Sequence, residues 1–243
     1  MKKAILAVSF GTSYAEAEAS CIRPVEDALR AAHPEYDVHR AFTSRIIMRK
    51  LRGQGTIIES EEEAIARLTA EGYDEIIVVP THIIPGHEYD KVCTAAKGFH
   101  LSAPLLSEDA DLDWMTGVLS GIAAEEGRTL LLMGHGTDHA ANEIYARLSE
   151  KLPGNIFLAC VEGEHTLETV LPELEALSEK TVTLMPLMLV AGDHAHNDLA
   201  GDEDDSWKSI LTTQGFDVHV RMHGLGALPE VQQHFVKKAA RAM

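Results

Sequence analysis

Two histidines and a glutamate stand where an α/β chain would place its chemistry. His135 lies in LLLMGHGTDHAAN (Leu130 to Asn142), where an apolar run stops at an imidazole with glycine on both sides. Glu162 directly follows the run from Ile156 to Val161 in CVEGEH, and Gly163 again marks a turn. His194 opens AGDHAHNDLAGDEDDSW after the apolar run Val182 to Leu189. Imidazole, with an unperturbed pKa of ~6.5, serves as neutral ligand or proton acceptor near neutrality. Taken singly, each residue has a plainer reading: His135 as an incidental residue of a strand-to-helix turn, Glu162 as exposed loop or N-cap. Taken together on neighbouring strand ends, two imidazoles and one carboxylate suit a borderline divalent ion such as Co²⁺, Fe²⁺ or Ni²⁺, with coordination positions left open.

Other chemistries fit less well. Neither glycine-rich turn reaches GxGxxG or GxxxxGKS, so a phosphate cradle is disfavoured. There is no GxSxG elbow for nucleophilic hydrolysis. His194 and His196 at i, i+2 do not make a helical HxxxH zinc motif. The run Asp202 to Asp205 reads as a solvated helix start before Trp207 rather than as a metal site. Among the remaining histidines, His82 and His87 draw notice because they flank Glu88.

The elements that must position these residues follow from periodicity. Short apolar runs alternate with segments of helical period, the pattern of a parallel sheet covered on both faces. Strands are expected at Ala4 to Phe10, Tyr36 to Phe42, Glu75 to Pro80, Thr129 to Met133, Ile156 to Val161, Val182 to Leu189 and Phe216 to Met222. Helices are expected to begin near Tyr14, Ser44, Glu59, Tyr89, Asp111, Ala140, His165, Asp205 and Pro229. In open α/β sheets ligands bind beyond the carboxyl ends of the strands, which is where His135 falls. The flanking glycines allow a sharp turn, and Thr137 or Asp138 is expected to cap the helix that follows.

The two halves echo each other. AILAVSFGTS from Ala4 resembles TLLLMGHGTD from Thr129, and VVPTHIIPGHEYD from Val78 resembles TLMPLMLVAGDHAHND from Thr183. The alignment sets Phe10 against His135 and Glu88 against His194. The expected architecture is therefore α/β with two similar domains, 1–126 and 127–243, each a parallel sheet flanked by helices, with an active-site cleft between them.

Composition bounds the partners. The 243 residues are 45% hydrophobic, ample for a core, and carry a formal charge of -17. That charge argues against nucleic acid and against an anionic membrane surface. Cys21, Cys93 and Cys160 are widely spaced, which indicates neither a zinc cluster nor a disulfide framework. No window approaches the ~18 apolar residues of a membrane span, and the short run near the start reads as a first strand rather than a signal core. A cytoplasmic protein is expected, and a homo-oligomer is left open.

SFGTS, TSRII from Thr43, PTHIIPGHEYDK, MGHGTD, VEG and AGDHAHNDLAGDEDDSW together resemble the anaerobic cobalt chelatases of cobalamin biosynthesis, class II chelatases related to ferrochelatase. The resemblance runs from the N-terminus to about Lys208. It implies an ATP-independent insertion of Co²⁺ into sirohydrochlorin, with Fe²⁺ as a second metal and no organic cofactor. It also implies that His135, Glu162 and His194 bind the metal and that Glu88 matches the family's acidic residue; from the chemistry of insertion, His135 or His194 is expected to accept pyrrole protons with Glu88 as outlet. Phe10, Ile83, Ile84 and Leu189 would then grip the macrocycle. Arg45, with Lys91 as second choice, would hold one of its carboxylates. Two alternatives stay open: a ferrochelatase or nickel-inserting relative acting on sirohydrochlorin or a porphyrin, and a carrier that binds metal or tetrapyrrole without catalysis.

Overall fold

The computed structural model describes all residues, Met1–Met243. In chain order its elements begin β1 (Lys3–Ser9), α1 (Ala15–Ala17), a π turn (Glu18–Ile22), α2 (Arg23–Ala32), β2 (Asp37–Phe42), α3 (Arg45–Gly53) and α4 (Glu61–Ala70). They continue with β3 (Glu75–Pro80), α5 (His87–Ala95), β4 (His100–Leu101) and α6 (Asp109–Glu126). The second series is β5 (Thr129–Gly134), α7 (Glu143–Lys151), β6 (Ile156–Cys160), α8 (Leu167–Glu175), β7 (Thr181–Pro186), a π turn (Ala195–Leu199), α9 (Trp207–Thr213), β8 (Asp217–Val220) and α10 (Pro229–Ala242). No helix is long and apolar enough to cross a membrane.

Two four-stranded sheets result, ordered β2-β1-β3-β4 and β6-β5-β7-β8, and every strand pair is parallel. The identical order bears out the two similar α/β halves. The central strands are the least polar because helices cover both faces. In β1, Ala4 to Val8 are wholly buried, and in β5 so are Leu130 to Met133. Leu6, Val8 and Val78 pack with Leu68 of α4 and Val92 of α5. Leu131, Met133 and Leu184 pack with Leu174 of α8 and Trp207 of α9.

The expected strands are present, with edges moved where backbone bonding stops. β7 ends at Pro186 rather than Leu189, because the chain turns away after the Leu187 N–H bonds the Met133 carbonyl at 2.7 Å. The two-residue β4 was not expected, since a strand so short leaves no periodic signal.

The chain divides into compact units that differ from the expected split at Glu126. One unit is Met1–Ser107 with Gly226–Met243, and the other is Glu108–Leu225. Two observations explain the difference. Glu126, expected as the boundary, is tied into the second unit: its carboxylate accepts from Arg221 Nη1 at 3.1 Å and Thr183 Oγ1 at 3.2 Å. The C-terminal segment returns to the first unit, where α10 packs on α2 and β3. Lys238 donates to Ser107 at 2.8 Å, and a Cβ on Gly226 would lie 2.3 Å from the Cys21 carbonyl oxygen. A fragment Glu108–Leu225 should therefore unfold cooperatively in urea, whereas a fragment 127–243, lacking α6 and carrying α10 with its apolar face uncovered, should not. A cooperative 127–243 fragment would restore the boundary at Glu126.

Candidate metal centre

The second unit gathers its chemistry at the carboxyl ends of three adjacent strands. β5 lies between β6 and β7, so the residues leaving these strands emerge side by side. The ladder runs on past the strand ends. The Val161 N–H bonds the Gly134 carbonyl at 3.0 Å, and the Glu162 N–H bonds the His135 carbonyl at 2.9 Å.

The two glycines around His135 do different work. Gly136 has φ +77, a left-handed conformation, and a Cβ there would lie 1.8 Å from the Glu162 carbonyl oxygen. Gly134 needs no unusual dihedral; it is packed against Tyr145 and Cys160, whose atoms would lie 2.9 and 3.0 Å from an added Cβ. Cys160 beside it is no nucleophile, since burial pushes its thiol up to about 12. The turn that follows is capped by neither Thr137 nor Asp138. His139 does so, its Nδ1 accepting from the Ala141 N–H at 3.0 Å, while Asn142 Oδ1 receives the Thr137 N–H at 3.1 Å.

The imidazoles of His135 and His194 are brought together, with ring centroids 4.8 Å apart and planes at 89°. Two imidazoles sharing an ion at ~2.1 Å per nitrogen place their centroids about 4.5–5.5 Å apart, so the observed separation suits one cation. His135 Nδ1 lies 2.8 Å from the Gly136 carbonyl oxygen, and His194 Nδ1 lies 2.7 Å from Asp198 Oδ2. Both partners are acceptors only, so both Nδ1 atoms carry the proton. In the neutral rings the Nε2 lone pairs are then the ones available. Glu162 is exposed, and its backbone is held beside His135. His135, Glu162 and His194 do not form a set whose ligand atoms all lie within 4.8 Å of one another. His196, two residues on, is exposed. Leu189 is half-buried in the loop after β7. The Asp202 to Asp205 run precedes α9, which Ser206 caps through the Ser209 N–H at 3.1 Å; Asp202 pairs with Lys208 at 2.6 Å.

The first unit holds the other expected residues. Phe10 occupies the place after β1 that His135 occupies after β5, and is 46% exposed. Arg45 opens α3 with its side chain 53% exposed, 3.8 Å from Glu61 and 3.7 Å from Glu62. Ile83 and Ile84 are half-buried after β3. Glu88, in the first turn of α5, pairs with Lys91 at 2.5 Å. Burial alone would raise its carboxyl, but hydrogen bonds from Lys91 and Thr43 outweigh that and hold it below its ordinary value. His82 lies 3.4 Å from Thr43 Oγ1, and burial pushes its imidazole down to about 4 against the pull of Glu88.

The model of the family described as Cobalt chelatase (CbiK) matches residues 3–243. The chain belongs to the cobalt chelatase (CbiK) family. It is 37% identical to the sirohydrochlorin cobaltochelatase of Salmonella typhimurium, an alignment covering 100% of this chain and 97% of that protein. It is 32% identical to the sirohydrochlorin cobaltochelatase CbiKC of Nitratidesulfovibrio vulgaris, covering 88% of this chain and 81% of that one. Its fold matches SirB from Bacillus subtilis, solved with Fe³⁺, at a TM-score of 0.66 and 15% identity, over 100% of this chain and 96% of that chain.

For this cobalt chelatase family member, sequence reasoning overlooked Asp198, Asn142 and the contact of Thr43 with His82, although it had singled out His82 and Glu88. Asp198 and Asn142 had a readable signal, their spacing of four and five residues from His194 and Thr137; Thr43 meets His82 only through the fold, 39 residues apart.

Two expectations follow. Gly136→Ala combines a left-handed φ with contact against the Glu162 backbone. It should lower unfolding stability by about 2–4 kcal/mol in urea titration. For His82, the unfolded ring takes up a proton below its ordinary 6.5, whereas the folded ring does so only near 4. Its stabilising contribution is thus present above pH 6.5 and lost as pH falls toward 4. His82→Gln should flatten that part of the stability–pH curve, which in the parent protein spans on the order of 2–3 kcal/mol.

Proposed function

We propose that this chain inserts Co²⁺ into sirohydrochlorin without ATP, releasing two protons, as a step of cobalamin biosynthesis. The observation that carries the reading is the His135–His194 pair: two imidazoles 4.8 Å apart, each with Nδ1 engaged and Nε2 left for a cation, in a chain of the cobalt chelatase family.

Insertion requires three things of the protein. Water must leave the ion in stages, which favours a few ligands with replaceable positions over a saturated cage. His135, His194 and Glu162 supply such a set, two nitrogens and one carboxylate. The flat macrocycle must bend so that its nitrogen lone pairs point toward the ion. Phe10, Ile84 and Leu189 are the proposed apolar grips, and Arg45 the proposed cation for one of the eight carboxylates of sirohydrochlorin. Finally, two N–H protons must leave as the dication enters, so that charge balances. In this reading they leave one at a time: one of the two imidazoles, its Nε2 freed as the ion passes to the macrocycle, accepts a proton and hands it on before taking the second, and Glu88 serves as outlet. The hydrogen bonds that lower the Glu88 carboxyl keep it ionised at neutral pH, so it passes protons to water rather than storing them.

A nitrogen and oxygen donor set of this kind does not by itself select Co²⁺ over Fe²⁺, and we propose Fe²⁺ as an alternative substrate metal. Following the visible spectrum of sirohydrochlorin with Co²⁺, then with Fe²⁺, and trace protein tests both points. Multiple turnover above the spontaneous rate is expected. His135→Ala should reduce it by at least about 100-fold, more than the loss of an outer partner of a ligand. Stoichiometric binding without turnover would instead make the protein a carrier.

A further inference from the structure

The segment after His194 contains an arrangement that the chelatase reading does not require. Ala195–Leu199 forms a π turn, closed by the Ala200 N–H on the Ala195 carbonyl at 3.2 Å. Ala195 and Leu199 are buried and anchor the turn. Gly201 completes it, since a Cβ there would lie 2.2 Å from the Asn197 carbonyl oxygen. Single π turns inside helical segments recur at functional sites. The effect of this one is to set the Asp198 carboxylate on His194 Nδ1, at 2.7 Å.

Stability gives little reason for that contact. The Asp198 side chain is 45% exposed, and an exposed ion pair adds little to folding. Its consequence for the ring is larger. A carboxylate only accepts, so it selects the Nδ1–H form of His194 and fixes the ring's rotation. His135 is held in the same form by the Gly136 carbonyl. The two rings are therefore matched in tautomer by two different devices, a backbone carbonyl that no side-chain substitution can remove and a carboxylate that one can.

We propose that Asp198 is a positioning residue whose carboxylate holds His194 in the Nδ1–H tautomer, keeping its Nε2 lone pair presented to the incoming divalent cation. The proposal rests on the chelatase reading for the identity of the cation, but not for the tautomer. Asp198 touches neither the cation nor the macrocycle and acts only through His194.

The test uses the full-length, metal-free protein with isotope-labelled histidine nitrogens, at mildly alkaline pH, with His194 assigned by its absence in His194→Gln. The parent protein should show His194 protonated on Nδ1. Asp198→Asn, whose amide can donate to Nδ1 as well as accept from it, should lose the selection of that form while keeping the side chain's size. Asp198→Ala should move the ring toward the Nε2–H form and weaken Co²⁺ binding about 10–100-fold by calorimetry. Its melting temperature should stay near the parent's, which separates positioning from unfolding. A parent His194 protonated on Nε2 alone would overturn the proposal. So would an Asp198→Ala protein with unchanged tautomer and Co²⁺ affinity. Absence of sirohydrochlorin turnover would bear on the chelatase reading alone, because neither measurement uses the macrocycle.

Discussion

The candidate centre depends on one constraint, a backbone ladder that continues past the ends of parallel strands. In the second unit the bonds Val161 to Gly134, Glu162 to His135 and Leu187 to Met133 carry the pairing beyond β6, β5 and β7. Each bond fixes where the next side chain leaves the sheet. Close approach is needed for this, and Gly136 permits it by having no Cβ where the Glu162 carbonyl passes. The imidazole of His135 is thus placed by its neighbours' backbone rather than by contacts of its own side chain.

The first unit repeats the same ladder with other side chains on it. The Thr43 N–H bonds Ser9, the Ser44 N–H bonds Phe10, and the Thr81 N–H bonds Val8, matching the three bonds of the second unit position for position. Gly11 has φ +99 and is pressed against Phe42, as Gly136 is pressed against the Glu162 backbone. The two units therefore share backbone geometry while their chemistry differs. Where the second unit has His135 and Glu162, the first has Phe10 and Ser44, and Glu88 stands where His194 does. A scaffold defined by backbone bonds allows this, because the side chains at strand ends contribute little to holding it.

The polar surroundings of the two units differ in kind. In the second unit, hydrogen bonds to Nδ1 settle which nitrogen of each ring is available. In the first, a buried imidazole pushed down to about 4 and a carboxyl held low by Lys91 and Thr43 leave one neutral ring beside one anion near neutral pH. One arrangement prepares lone pairs for a cation, and the other keeps a carboxylate ionised in a pair with Lys91.

Much of this was legible in the chain itself. Apolar runs with helical segments between them locate nearly all the strands, because strands buried on both faces must be apolar throughout. The internal echo anticipates two sheets of the same order. Strand-end placement singles out His135, Glu162 and His194, since periodicity fixes where a strand stops. The division into units was not legible: Glu126 resembles a boundary until Arg221 and Thr183 close on it, and α10 returns to the first unit across more than a hundred residues. Nor could the sequence specify that the two imidazoles meet, or which ring nitrogen each presents. Those outcomes depend on distances and hydrogen-bond partners, and only folding creates them. Residue identity and spacing determined which groups reach the strand ends; tertiary packing decided which of them touch, because a contact between distant segments has no period to betray it.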